Sequence, residues 1–218
     1  MADQFYFSRD TKVYIVQSQT SSGTARWEIP VLDGFSFSQG TNTSEITLNE
    51  MAAASGNKSR RSRQMFTDSF APGEWSFSTY MRPFLSGTSG GANWEDTNAA
   101  IHAVEEVLWA NFIAKNTHED STSGSSSWAD GVTYTSSGSP AAPESVDFDF
   151  TGSEVAELGT FDIYFEMGGA GGGTKTVYKL EGAVVNSATI DFEIDGIATI
   201  NWSGMCKVIS EVENATVP

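Results

Sequence analysis

Cysteine is nearly absent from this 218-residue chain, which has one, Cys206, beside only two histidines, His102 and His118. A lone thiol excludes an internal disulfide, and so few soft ligands fall short of a structural zinc set. Cys206 follows an apolar strand pattern and reads as a buried small hydrophobe in a protein made in a reducing compartment. No apolar run reaches the length of a membrane helix, and Met1 to Tyr14 lacks the apolar stretch of a secretory signal. The sequence therefore predicts neither a spanning helix nor a cleaved leader. Cations are scarce in one part only. Residues 1–90 hold eight Lys/Arg and eight Asp/Glu, whereas residues 91–218 hold four and twenty, so the whole formal charge of −16 falls in the second part. Such a chain repels phosphate instead of releasing its counterions. The plain reading is solubility; the sharper one is a surface that meets DNA without holding it.

The familiar catalytic signatures are missing as well. Gly168 to Thr176 is glycine-rich, but Thr174 stands between the last glycine and Lys175, and a strand pattern follows where a phosphate loop needs a helix. No Gly-x-Ser-x-Gly elbow occurs, and neither histidine adjoins a nucleophile. Most carboxylates alternate with apolar residues, the pattern of a solvated sheet face rather than a paired-acid site. The sequence predicts no enzyme, no metal and no cofactor.

What is present is strand after strand. Gln4–Phe7, Lys12–Val16, Arg26–Leu32 and Phe35–Gln39 are short and aromatic or β-branched, and the last alternates with period two after an Asp33-Gly34 turn. Ser44–Leu48 continues in this style. Glu74–Tyr80 alternates again until Pro83, which cannot donate to a ladder. Val146–Phe150, Phe161–Glu166 and Thr174–Leu180 follow. A hairpin is expected at Ala188–Trp202, with Ala188, Ile190, Phe192 and Ile194 on one face. Asp195-Gly196 supplies a type I′ turn, and Ala198, Ile200 and Trp202 answer on the same side. One helix is expected over Thr97–Ala114, burying Ile101, Val104, Leu108, Trp109 and Phe112 while Asn98, His102, Glu105 and Glu106 face solvent. Two stretches break the pattern: a basic loop at about 49–69 and a Ser/Gly-rich insertion at about 117–145. The sum is one mainly β domain over 1–218: two packed antiparallel sheets, as a sandwich or barrel, with one flanking α-helix and long loops.

Three stretches carry a resemblance. They are Gly34–Ile46, then Arg60-Arg61-Ser62-Arg63 through Pro72–Pro83, then Gly182–Phe192 through Asp195-Gly196 to Trp202-Ser203-Gly204. With Ala103–Trp109 as the helix, they resemble the tail tube proteins, or major tail proteins, of tailed bacteriophages, in the same order and over about half of the chain. The resemblance implies a structural virion protein assembled in the host cytoplasm. It further implies hexameric rings that stack into a tail tube, the conduit for genome ejection. The implied partners are further copies of the chain, tape-measure, tail terminator and tail tip proteins, and a sheath protein if the tail is contractile. Genomic DNA would pass through the tube without specific binding. On that basis Asp191 and Glu193, or the acidic face holding Asp162 and Glu166, are candidates to line the lumen. Lys58, Arg60, Arg61 and Arg63 are candidates for an inter-ring arm that meets an acidic surface of the next subunit. Two alternatives stay open: the tube of a contractile injection system, and a carbohydrate-binding β-sandwich that uses exposed Trp128 and Tyr134 as stacking platforms.

Overall fold

The structure, a computed structural model, describes residues 6–18, 24–47, 53–54, 58–59, 63–86, 100–119, 127–128, 130–137, 142–150, 155–169, 173–193, 196–212 and 217–218. Its strands follow the alternation in the sequence. The first are β1 (Tyr6–Ser18), β2 (Thr24–Ile29), β3 (Ser36–Ser38), β4 (Thr41–Thr47), β5 (Ala53–Ala54) and β6 (Lys58–Ser59). Next come β7 (Arg63–Phe70), β8 (Gly73–Tyr80), β9 (Pro83–Ser86) and β10 (Ala100–Ala103), which leads into the helix α1 (Glu106–Ile113). Short strands β11 (His118–Glu119) and β12 (Ser127–Trp128) precede the hairpin of β13 (Val132–Ser137) and β14 (Ala142–Phe148). The last four are β15 (Phe161–Gly169), β16 (Gly173–Asp191), β17 (Thr199–Cys206) and β18 (Val208–Glu211).

The main sheet runs in the order β2-β1-β15-β16-β17-β8-β3, so its path is open at β2 and β3. It bends at β16. The first half of that strand pairs with β15 on one side and β18 on the other, and its second half pairs with β17. Gly182 marks the corner in the left-handed region, at φ 59°, where a side chain would be strained. There Lys207 N donates to Glu181 O at 2.9 Å, which keeps the ladder continuous around the bend. The result is two packed antiparallel sheets: β2, β1, β15, the first half of β16 and β18 form one, and the second half of β16, β17, β8 and β3 form the other.

The inner faces meet through large side chains. Phe35 and Phe37 of the second sheet's edge lie 5.3 and 4.8 Å, ring to ring, from Phe165 of the first. Trp75 and Phe161 pack edge to face. Val13, Ile15, Ile163, Leu180, Ile200 and Trp202 complete a core in which each such chain, fully buried, contributes roughly 1.5–3 kcal/mol.

Two expectations need correction. Helix α1 spans only Glu106–Ile113, because Ala100–Ala103 finds a strand partner in β9, with Ile101 opposite Leu85 and Ala103 opposite Pro83. Turning the chain at Val104 and Glu105 also rotates the helix. Val107, Leu108, Ala110 and Ile113 are buried, and so are Glu105 and Glu106, at 1% and 8% exposure, which the sequence had facing solvent. The Ala188–Trp202 hairpin exists, but its ladder ends at Asp191 opposite Thr199 and passes through Ile190 opposite Ile200. A two-residue turn at Asp195-Gly196 would set Ile190 against Asn201 and put an apolar and a polar residue on one face. The wider connection keeps Ile190, Ile200 and Trp202 together, and it leaves Phe192 74% exposed.

Candidate functional site

The two sheets differ in their outer faces, and alternation along each strand decides what each presents. On the first sheet the outward residues include Lys12, Tyr14 and Val16 of β1, Arg26 and Glu28 of β2, Asp162, Tyr164 and Glu166 of β15, and Lys175, Val177, Lys179 and Glu181 of β16. Its charges are matched. Glu166 accepts from Lys175 at 2.6 Å, Asp162 from Lys179 at 2.9 Å, and Glu28 lies 3.4 Å from Lys12. Asp162 also accepts from the backbone N of corner residue Gly182 at 2.9 Å. Between the pairs, Val16, Tyr164 and Val177 form a small second cluster against Tyr14, Val212 and Val217. Val212 N donates to Val177 O, and Arg26 donates to Pro218 O, so Val212, Val217 and Pro218 lie against this face.

The second sheet turns a different face outward. Ser36 and Ser38 of β3, Glu74, Ser76, Ser78 and Tyr80 of β8, Thr189 and Asp191 of β16, and Asn201, Ser203 and Met205 of β17 all lie on it. The hydroxyl and amide groups bond across strands: Ser36 with Ser76 at 2.9 Å, Ser78 to Asn201 at 2.5 Å, and Asn201 to Asp191 at 2.6 Å. Glu74 and Asp191 carry its charge, and among its described residues there is no Lys or Arg. Glu193 follows two residues beyond Asp191, exposed on the connection to β17.

A hairpin arm continues this second sheet beyond its body. The β3–β8 ladder reaches Ser38 opposite Glu74; Ala71 N donates to Gly40 O at 2.9 Å, and β4 then pairs with β7 from Thr41 opposite Phe70 to Thr47 opposite Arg63. Thr41 to Glu45 and Thr67 to Phe70 are all exposed. Successive strand residues point to opposite faces, so both faces of the ribbon are bare. A two-stranded ribbon of that kind is marginal on its own in water. Lys58 falls on β6 and Arg63 on β7, with no description of their side chains, and Arg60 and Arg61 lie outside the described residues.

One buried ionisable cluster escaped the sequence reading. Glu106, at the start of α1, accepts from Trp128 Nε1 at 2.7 Å and Tyr134 OH at 2.5 Å on one oxygen. Its other oxygen meets His102 Nδ1 at 2.8 Å. Burial alone would push this carboxyl up, but the bonds from His102, Tyr134 and Trp128 outweigh it and hold it below the ordinary value. Burial and the adjoining carboxylate push the Tyr134 hydroxyl up. Its neighbour Glu105 is pushed up by burial, which outweighs the bonds from its own backbone and from Thr79 and the attraction of Arg82. The cluster pins β12 and β13 to the helix. Accordingly Trp128 is 5% exposed and stacks on Trp27, Tyr134 is partly buried, and His102 sits on β10 with a side chain only 13% exposed. This corrects the expectation of exposed aromatic platforms at Trp128 and Tyr134 and of a solvent-facing helical His102. The i to i+4 spacing of His102 and Glu106 gave no hint, since one lies on a strand and the other on a helix.

These elements define a class: an open antiparallel β-sandwich with, among the described residues, a single helix, two unlike outer faces and a projecting arm. No family model matches the chain. Among curated proteins it is similar to tail tube protein pb6 of Escherichia phage T5, at 26% identity over 198 residues, or 90% of this chain. The chain spans 36% of the length of that relative. The resemblance read from the sequence and this relative point to the same kind of protein. Three solved structures are similar in course. The sheath/tube terminator of the PVC extracellular contractile injection system aligns at a TM-score of 0.48 and 10% identity, covering 97% of this chain and 99% of that one. The tube terminating cap of the anti-feeding prophage gives 0.46 and 11%, over 97% and 94%. The SPP1 tail tube gives 0.40 and 10%, over 98% and 81%.

Proposed function

We propose that this chain is a structural, non-enzymatic subunit of a phage tail tube. It forms rings, hexameric by the family resemblance, that stack into a hollow tail, and the tail conducts the genome during ejection. The observation that carries this reading is the outer face of the second sheet. A conduit for duplex DNA needs a wall with no cation able to trap phosphate and no apolar patch able to hold bases. Apart from Tyr80 and Met205 toward its two ends, a lawn of Ser, Thr and Asn around Glu74 and Asp191 suits that need, because several of its hydrogen-bonding groups pair with one another and its charge repels the polyanion. We assign this face to the lumen, with Asp191 and Glu193 at one end. Asp162 and Glu166 belong to the other face, where Lys179 and Lys175 neutralise them. The sequence similarity to a tail tube protein over nine-tenths of the chain supports the same reading.

The open edges at β2 and β3 suit ring formation, since unpaired strand edges are templates for pairing with another chain. The arm is exposed over Thr41–Glu45 and Thr67–Phe70, and the basic residues Lys58, Arg60, Arg61 and Arg63, which the sequence places between those stretches, suit contact between rings. Tape-measure, terminator and tip proteins are the partners such a tube implies. Electron microscopy of the purified chain over a range of concentration and salt tests the proposal. Rings or hollow tubes of uniform diameter are expected, with averaged maps that put Ser76 and Asp191 toward the channel. A chain that stays monomeric at all concentrations, even with preformed tube ends added, would refute it.

A further inference from the structure

We infer that Gln39 sets the angle of the hairpin arm: its side-chain amide clamps the neck of the arm to the corner where the two sheets meet, and without that clamp the arm pivots on the sandwich. The inference goes beyond the tube reading and stands without it. The neck has two sides of two residues each, Gln39-Gly40 between β3 and β4 and Ala71-Pro72 between β7 and β8. Both ladders stop short of it, at Ser38 opposite Glu74 on the body and at Thr41 opposite Phe70 on the arm. Across the neck itself the backbone bonds from Ala71 N to Gly40 O at 2.9 Å. Pro72 has no N–H to add. Gly40 brings no side chain, and a Cβ there would come within 4 Å of nothing but Ala71 Cβ, at 3.9 Å.

A ladder continued one step past Gly73 opposite Cys206 would set Pro72 against Lys207, where proline offers no donor. Gln39 supplies one from its side chain. Its Nε2 donates to Lys207 O at 3.2 Å and to Ala71 O at 2.8 Å, and its Oε1 accepts from Ile209 N at 2.9 Å. Only this orientation of the amide satisfies two carbonyls and an N–H at once. Lys207 and Ile209, two residues apart, present the acceptor and donor that a strand offers its neighbour, and Gln39 meets them as a peptide group would. The anchorage is firm. Lys207 N donates to Glu181 O at 2.9 Å, at the corner of β16 beside Gly182. A Cβ on Gly73 would come 2.6 Å from Cys206 Sγ and 3.1 Å from Ile209 Cδ1, so the base of β8 is closely packed.

Beyond the neck that packing ends, since Thr41 to Glu45 and Thr67 to Phe70 are exposed. A rigid base and a bare lever thus meet where the backbone contributes little, and the three bonds of Gln39 decide the angle between them. A ribbon bare on both faces finds its contacts on other molecules, so the direction in which it leaves the body decides which surfaces it can reach. Gln39 is therefore a positioning residue that acts through the arm. Its chemistry is specific. A methionine of the same length offers neither donor nor strong acceptor, and a glutamate sets a carboxylate against two carbonyls.

The test reads the arm's angle in the whole, unassembled chain, so it does not depend on tubes forming. Spin labels on Thr43→Cys in the arm and Thr189→Cys on the second sheet report it as a distance distribution, the buried Cys206 being shielded from the label. With Gln39 in place the distribution should be single and narrow. Gln39→Met should replace it with a broad one. In that variant the Ile209 amide should lose protection from hydrogen exchange, while the amides of Ile15 and Ile163 in the core keep theirs. Gln39→Glu, which retains an acceptor for Ile209 but no donor, should broaden the distribution as well. A distribution that is broad with Gln39 present, or equally narrow in a folded variant, overturns the clamp. Loss of core protection in both variants also overturns it, because Gln39 would then hold the sandwich rather than the arm. Each of these outcomes leaves the tube reading to electron microscopy.

Discussion

The two outer sheet faces come from the same acidic chain and handle charge in opposite ways. On the first, Lys12, Arg26, Lys175 and Lys179 stand among Glu28, Asp162, Glu166 and Glu181 in equal number, with pairs at 2.6, 2.9 and 3.4 Å. Tyrosines and valines lie between them, against Val212 and Val217. On the second face no cation occurs among the described residues, yet the bare acids are few, and Ser, Thr and Asn fill the remaining positions. A net charge of −16 therefore says little about any one surface. What a polyanion would sense is where carboxylates lack partners and where cations are missing, and that depends on strand register.

The largest expected effect tests how the second face stays flat. Gly204 lies directly over Trp75: a Cβ there would come 2.0 Å from Val184 O and 2.5 Å from the indole ring. Backbone and a core ring cannot both give way, so Gly204→Ala should cost about 3 kcal/mol or more. Gly168 on β15 of the first sheet is the control. Its Cβ would sit 3.2 Å from Asp10 O, near a strand end, and Gly168→Ala should cost about 1 kcal/mol or less. Urea denaturation of the two variants measures the difference. Equal losses would mean that the second sheet is no more tightly layered than the first.

A smaller effect should follow from giving the second face what the first already has. Ser38→Arg with Thr189→Arg puts two cations on exposed strand positions and should leave stability within about 0.5 kcal/mol. Assembled tubes should then retain duplex DNA in a salt-dependent way, the log-log slope steepening by about 0.9 for each phosphate that a new arginine neutralises. Wild-type tubes should retain none. Tubes of the variant that release DNA as freely as wild type would remove this face from the channel and return the choice to the face of Asp162 and Glu166.

Much of this is legible in the residues alone. Period-two alternation at Phe35–Gln39, Glu74–Tyr80 and Phe161–Glu166 marks both the strands and their inward residues, because half-buried sheets impose that period directly. The hairpin of Ala188–Trp202 is legible for the same reason. Its turn is not, since Asp-Gly favours a two-residue loop and only the pairing of Ile190 with Ile200 overrides that preference. The helix start is lost to a long-range partner: nothing local reveals that Leu85 waits opposite Ile101. Charge alone assigns Glu105 and Glu106 to solvent, and the burial of Glu106 depends on Trp128 and Tyr134, more than twenty residues away in a Ser/Gly-rich stretch. Among the lumen candidates, Asp191 and Asp162 look alike in sequence. Lys179, seventeen residues beyond Asp162, separates them only once β15 and β16 are in register.

The smallest expected effect concerns the ion pairs of the first face. Lys179 donates to Asp162 and lies over the Tyr164 ring at 6.0 Å, with its side chain 26% exposed. Partial burial would lower its ammonium, but the bond and attraction to Asp162 prevail and raise it above the ordinary value. A raised lysine stabilises the fold fully below its unfolded value near 10.5, and that stability is lost as pH rises through the folded value. Burial also raises Tyr164, so the unfolded chain ionises first and stability falls in the same direction. Both groups thus put an alkaline limb on the first face. Lys179→Met combined with Tyr164→Phe should cost only about 1 kcal/mol at neutral pH, as partly exposed ion pairs do, while flattening the fall in stability above about pH 10. Thermal midpoints across that range provide the measurement. A double variant that keeps the wild-type slope would place the alkaline titration elsewhere and remove the first face from the pH response.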